Sequence, residues 1–172
     1  MSTLSTLTAL SPLDGRYHSK LDPLRPYFSE FALIRYRVQV EVNWLKALSQ
    51  EPAITEITPF SSNAITLLTG LAENFSESDG ESVKSIEANT NHDVKAIEYW
   101  LRENTAENIE ISKVAEFIHF SCTSEDINNL AHGLMMKHSR DHVMLPTLNS
   151  IIETLVHMAH ELANLSMLAR TH

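Results

Sequence analysis

Apolar residues recur at helical spacing over most of the chain, and polar strings break the pattern at a few places. After Pro26, Phe31, Ile34, Val38, Val42 and Leu45 form one stripe, which Leu33, Val40, Trp44 and Leu48 widen. This pattern predicts a helix running to about Gln50 and ended by Pro52. Ser61 or Ser62 then caps a second helix through Ile65, Leu68, Ala72 and Phe75. Residues 75–80 (FSESDG) read as a polar loop, followed by a short helix around Val83 to Ala88. The string Asn89-Thr90-Asn91-His92-Asp93 interrupts the period, which Val94, Ile97 and Leu101 resume in a new helix. Residues 103–110 (ENTAENIE) read as a loop leading to Ser112, and residues 113–120 as a short helix.

Thr123 and Asp126 match a capping box, with acids in the first turn of the helix they open. The chain then reads as helical almost to Leu162. Ile127, Leu130, Leu134 and Lys137 share one face, and Leu148, Ile151, Leu155, Met158 and Leu162 share another. Pro146 between them predicts a kink or break. Residues 164–172 lose the helical period and read as an extended strap. The expected fold is all-α. Residues 1–112 are expected to form an N-terminal helical domain after 25 irregular residues, and residues 113–172 to open a bundle of long helices.

Composition narrows the functional classes. With 4 Gly and 6 Pro in 172 residues, the sequence lacks the turn residues that sheets and hairpins consume. A net charge of −9 disfavours nucleic acid as a partner. A small anionic ligand remains compatible where cations or helix N-termini are placed locally. Cys122 is the only cysteine, which excludes an intrachain disulfide and points to a reducing compartment. The N-terminal residues lack the basic and apolar regions of a secretory signal, and no apolar run approaches a membrane span of ~20 residues. A cytoplasmic location is expected.

Four polar clusters sit where helices begin or end: Asp14-Gly15-Arg16-Tyr17, Thr90-Asn91-His92-Asp93, Thr123-Ser124-Glu125-Asp126 and Arg170-Thr171-His172. Taken singly, each also reads as a turn or a cap. Together they supply what a dianionic, nucleotide-like ligand needs. Arg16 pairs with phosphate, hydroxyls and free helix-start N–H groups bind carboxylate, and His92 and His172 exchange protons near neutral pH. The spacings of His138 with His142 and of His157 with His160 place each pair on one helix face. Neither pair has the Glu or the third ligand of a zinc site, so no metal is expected. Phosphate-loop and dinucleotide fingerprints are missing, and no cofactor is expected.

The segments SPLDGRY (11–17), RVQVEVNWL (37–45), TNHDVKAIEYWL (90–101), EFIHFSCTSEDINNLAHGLM (116–135) and LARTH (168–172) together resemble the bacterial adenylosuccinate lyases. Relatives in the wider fumarase/aspartase superfamily carry Ser-Ser-Asn-Asp or Ser-Arg-Asn-Asp where this chain has Thr-Ser-Glu-Asp. The resemblance implies a three-domain helical protein whose central bundle forms a homotetramer, with no cofactor. It implies elimination of fumarate from adenylosuccinate, giving AMP, and from the succinylaminoimidazole carboxamide ribotide, giving AICAR. It also implies that Arg16, Tyr17, Asn91, His92, Asp93, Thr123 and Ser124 bind substrate and that His172 is the general acid. The catalytic serine loop of that family has no counterpart here, so the chain is expected to be an N-terminal piece without activity of its own. The alternative is a helical interaction module that does no chemistry.

Overall fold

The computed structural model describes residues 5–168, which contain no β-strand. Eight α-helices follow one another: α1 (Arg25–Phe28), α2 (Glu30–Gln50), α3 (Ser62–Glu73), α4 (Glu77–Thr90), α5 (Asp93–Thr105), α6 (Ile109–Lys113), α7 (Ser124–Ser139) and α8 (Leu145–Glu161). The first 24 residues hold only two 3-10 turns among those described, at His18–Lys20 and Asp22–Leu24. The expectation of an all-α chain holds for the described residues.

The central element is α2, which starts where the Ser29 hydroxyl caps the Ala32 N–H and runs 21 residues. Ile34, Val38, Val42 and Leu45 face a core shared with α3, α4 and α5 and completed by Ile111 and Ile118. Ala32, Tyr36 and Val40 are offset by two residues, about 200° around a helix. They face a second core with Val94 of α5 and Ile127, Ala131 and Met135 of α7. Two cores therefore share one helix as their common wall. Its flanks between the cores carry polar side chains.

Three local differences from the sequence pattern have identifiable causes. Residues 75–80 are not a loop. The Ser76 hydroxyl accepts from the Asp79 N–H while the Asp79 carboxylate accepts from the Ser76 N–H, so α4 begins at Glu77. Gly80 sits inside this helix because a Cβ there would lie 3.3 Å from the Phe31 ring. The expected loop at 103–110 gives way to α6, which Asn108 caps by accepting from the N–H groups of Glu110 and Ile111. Conversely, residues 113–120 hold only a 3-10 turn at Ala115–Phe117, since His119 (φ 64°) and Ser121 (φ 60°) take left-handed backbone that no α-helix includes.

The long run from Ser124 to Glu161 is continuous through a π turn at Arg140–Met144. Pro146 follows that turn as the second residue of α8, and the widened π turn just before it is where the lost N–H and the ring are accommodated without breaking the run. The buried stripe of α7 is Ile127, Ala131 and Met135, while Leu130 stays 61% exposed. None of the residues of α8 is buried, and Leu148, Ile151, Leu155 and Met158 present an uncovered apolar face. No described helix is long and apolar enough to cross a membrane.

Candidate active site

Three of the four polar clusters lie in the described residues. The fourth, with the general-acid candidate His172, lies outside them. Asp14 to Tyr17 form tight turns in which Gly15 N–H reaches the Ser11 carbonyl at 2.9 Å and Tyr17 N–H the Pro12 carbonyl at 2.9 Å. A Cβ on residue 15 would meet the Thr6 carbonyl oxygen at 2.8 Å, so glycine is what lets these turns close. Arg25 anchors the segment by donating to Asp22 and lying 3.6 Å from Asp14. Arg16 and Tyr17 make no side-chain hydrogen bond among the described residues, and both are exposed. They are therefore available donors, but no polar contact joins them to the other clusters.

Asn91, His92 and Asp93 form the joint between α4 and α5. Asn91 ends α4 in left-handed backbone at φ 54°, a conformation Asn tolerates better than most residues. His92 is the N-cap of α5, and its Nδ1 accepts the Lys95 N–H at 3.2 Å. With Nδ1 an acceptor, the proton of the neutral ring sits on Nε2, on a side chain that is 52% exposed. Asp93 accepts from the Val94 N–H with one oxygen and from Arg37 with the other, at 2.8 and 2.7 Å. Partial burial works against its charge, but the Val94 N–H and the Arg37 guanidinium outweigh it and hold the carboxyl below its ordinary range.

Thr123 and Ser124 start α7. The Asp126 carboxylate accepts both the N–H and the hydroxyl of Thr123, at 2.7 and 2.8 Å, and these two bonds lower its pKa. The Ser124 hydroxyl makes no hydrogen bond among the described residues, and it stands at the positive end of a 16-residue helix. Free hydroxyl and helix-start N–H groups together suit an anionic group.

Arg37 on α2 brings the second and third clusters into one frame. Its guanidinium is buried and donates to Asp93 at the start of α5 and to Asn128 Oδ1 in the second turn of α7, at 2.7 and 2.9 Å. One turn further along α2, Glu41 is also buried and meets His119 Nδ1 at 2.6 Å. Its other oxygen, Oε2, is buried without a partner among the described residues. Desolvation pushes the Glu41 carboxyl above its usual range, and the contact with His119 offsets only part of that. His119 lies four residues before Thr123, in the left-handed turn whose Phe120 carbonyl accepts the Trp44 indole N–H. Arg37, Glu41 and His119 are not among the residues that the sequence singles out. The available signal is a pair of opposite charges four residues apart on α2, Arg37 and Glu41, flanked by apolar residues on both sides.

Comparison with known families matches residues 15–172 to a family described as lyase. The chain is 53% identical over 169 residues to the adenylosuccinate lyase of Haemophilus influenzae, covering 98% of this chain and 37% of that protein. It is 50% identical to the adenylosuccinate lyase of Escherichia coli K12 over the same shares, and 45% identical to that of Legionella pneumophila Corby over 170 residues. The chain thus spans 37% of the length of these relatives.

The raised carboxyl of Glu41 sets a pH dependence. Between the ordinary glutamate range and the higher folded-state value, the native state binds more protons than the unfolded chain, so stability falls as pH rises through that window. Glu41→Gln is expected to remove this slope. Urea melts of both proteins across the window would show it, and an unchanged slope in the variant would contradict the assignment.

Proposed function

The chain belongs to this lyase family, and from that membership we propose that it forms the N-terminal part of an adenylosuccinate lyase. In this reading the whole protein eliminates fumarate from adenylosuccinate and from the related succinylated imidazole carboxamide ribotide. A base takes the proton from the succinyl β-carbon, the resulting carbanion expels the nitrogen, and an acid protonates that nitrogen as the C–N bond breaks.

The observation that carries the reading is the shared anchoring of two helix starts. The buried Arg37 ties Asp93 to α7, five residues after Thr123. Donors from Ser124 and the His92 Nε2–H are thereby held by one rigid element, as stabilisation of a developing dianion requires. Asn91, His92, Asp93, Thr123 and Ser124 bind the succinyl and nucleotide groups in this proposal. Arg16 and Tyr17 take the phosphate end, and His172 donates the proton. The uncovered apolar face of α8 supports assembly of the whole protein into a homotetramer. The lone cysteine agrees with work in the cytoplasm.

The direct test is fumarate release from adenylosuccinate by the whole protein, and absence of turnover would overturn the reading. Arg16→Ala is expected to raise KM with little change in kcat, because a phosphate carries the same charge in ground and transition states. An unchanged KM would remove Arg16 from the site. His172→Ala is expected to lower kcat by about 10²–10⁴-fold, the usual worth of a positioned acid. A fall of less than about tenfold per folded site would withdraw that role.

A further inference from the structure

The end of α7 carries a titratable cluster that the candidate site does not use. His138 lies in the last turn of α7 and His142 in the π turn that follows. Their ring centroids are 5.7 Å apart, with the planes 24° from parallel. Each ring has a tyrosine for a partner. His138 Nδ1 meets the hydroxyl of the buried Tyr36 on α2 at 2.9 Å, and His142 Nδ1 meets the hydroxyl of the half-buried Tyr27 on α1 at 3.3 Å. These contacts span 102 and 115 residues of sequence. They hold the place where the chain passes from α7 into α8 against α1 and α2.

The two hydrogen bonds do not by themselves depend on protonation. A neutral Nδ1 accepts a tyrosine O–H, and a protonated one donates to the same oxygen. Charge is what the cluster lacks the means to absorb. His92, His119 and His157 each have a carboxylate within 4 Å, whereas His138 and His142 have none among the described residues. On α2, the Arg35 guanidinium lies 5.0 Å from the Tyr36 ring centroid and is held by the Pro26 carbonyl of α1 at 2.7 Å. On α7, Lys137 precedes His138. Asp141, the acid of the π turn, is already paired with Arg140 at 2.7 Å. Lys46 of α2 and Glu73 of α3 line the same cavity as His138 and contribute one charge of each sign. Partial burial, and then the neighbouring His142, lower the His138 pKa below the ordinary histidine value.

We propose that His138 and His142 form an acid-sensitive joint, closed while at most one ring is protonated and opened when both are, so that acid releases the end of α7 and its π turn from α1 and α2. The sign follows from the geometry. A histidine that resists protonation in the folded state contributes stability that is present above the ordinary histidine range and is lost as pH falls toward the folded-state value. The joint is independent of the lyase reading, because none of the candidate substrate-binding residues belongs to it.

The test is amide hydrogen exchange of the whole protein at about pH 7.5 and about pH 5, either side of the ordinary histidine value of about 6.5, with intrinsic rates corrected. Protection of residues 136–144 is expected to fall roughly three- to hundredfold in acid, the range for two unit charges about 6 Å apart at a protein surface. Amides of α3 and α5 are expected to change little. His138→Gln and His142→Gln, each checked for folding by circular dichroism, are expected to cut the fall to under about twofold, since one ring alone has no charged twin. Tyr36→Phe is expected to lower protection at both pH values and leave their ratio unchanged, because it removes a hydrogen bond and no charge. The ratio in the unaltered protein keeps the proposal falsifiable if a variant fails to fold. Equal protection at the two pH values, a fall shared by α3 and α5, or a full-sized fall in both folded glutamine variants would each overturn the proposal.

Discussion

A guanidinium taken out of water must find its hydrogen bonds inside the protein, and those of Arg37 end on two different helices. Its Nη2 meets Asp93, at the first residue of α5, and its Nε meets Asn128, in the second turn of α7. Removing the partners of a buried charge costs about 3–5 kcal/mol, so neither helix start shifts freely against α2. The polar joint of α4 with α5 and the first turn of α7 therefore share one frame of reference. The two cores on either side of α2 would pack without this contact, but they would leave the relative position of the two helix starts less defined.

The Glu41–His119 pair extends the same logic by one turn. Glu41 is buried, and its Oε1 lies 2.6 Å from His119 Nδ1, a hydrogen bond that the low local dielectric strengthens. His119 and Ser121 hold left-handed backbone, a conformation that persists only where the surroundings enforce it. Here Glu41 grips the side chain of the turn and the Trp44 indole grips its backbone. That turn delivers the chain to Thr123. Polar groups of α2 thus set the approach to α7.

Much of this is legible in the residues. The period of α2, the resumption of apolar spacing at Val94 and the Thr123–Asp126 cap each depend on positions within a few residues of one another. The start of α4 is hidden because FSESDG has loop composition, and its capping box outweighs that composition only through backbone geometry. The short α6 is hidden for the same reason, since a single Asn108 cap is a weak signal. Residues 113–120 look helical because their apolar residues recur, but tertiary contacts to Glu41 and Trp44 force the turn. The partners of Arg37 lie 56 and 91 residues away, a separation no local pattern encodes. The substrate-binding roles of Arg16, Tyr17 and the other cluster residues rest on the family resemblance and stand as proposals.

The central claim is that one buried side chain holds the starts of α5 and α7 together. The most direct measurement is hydrogen exchange of backbone amides in Arg37→Met, which keeps the apolar stem and removes the donors. The account predicts faster exchange in the first turns of both α5 and α7, with the core amides of α2 and α3 little changed. Protection lost in only one of the two turns, or in neither, would contradict it.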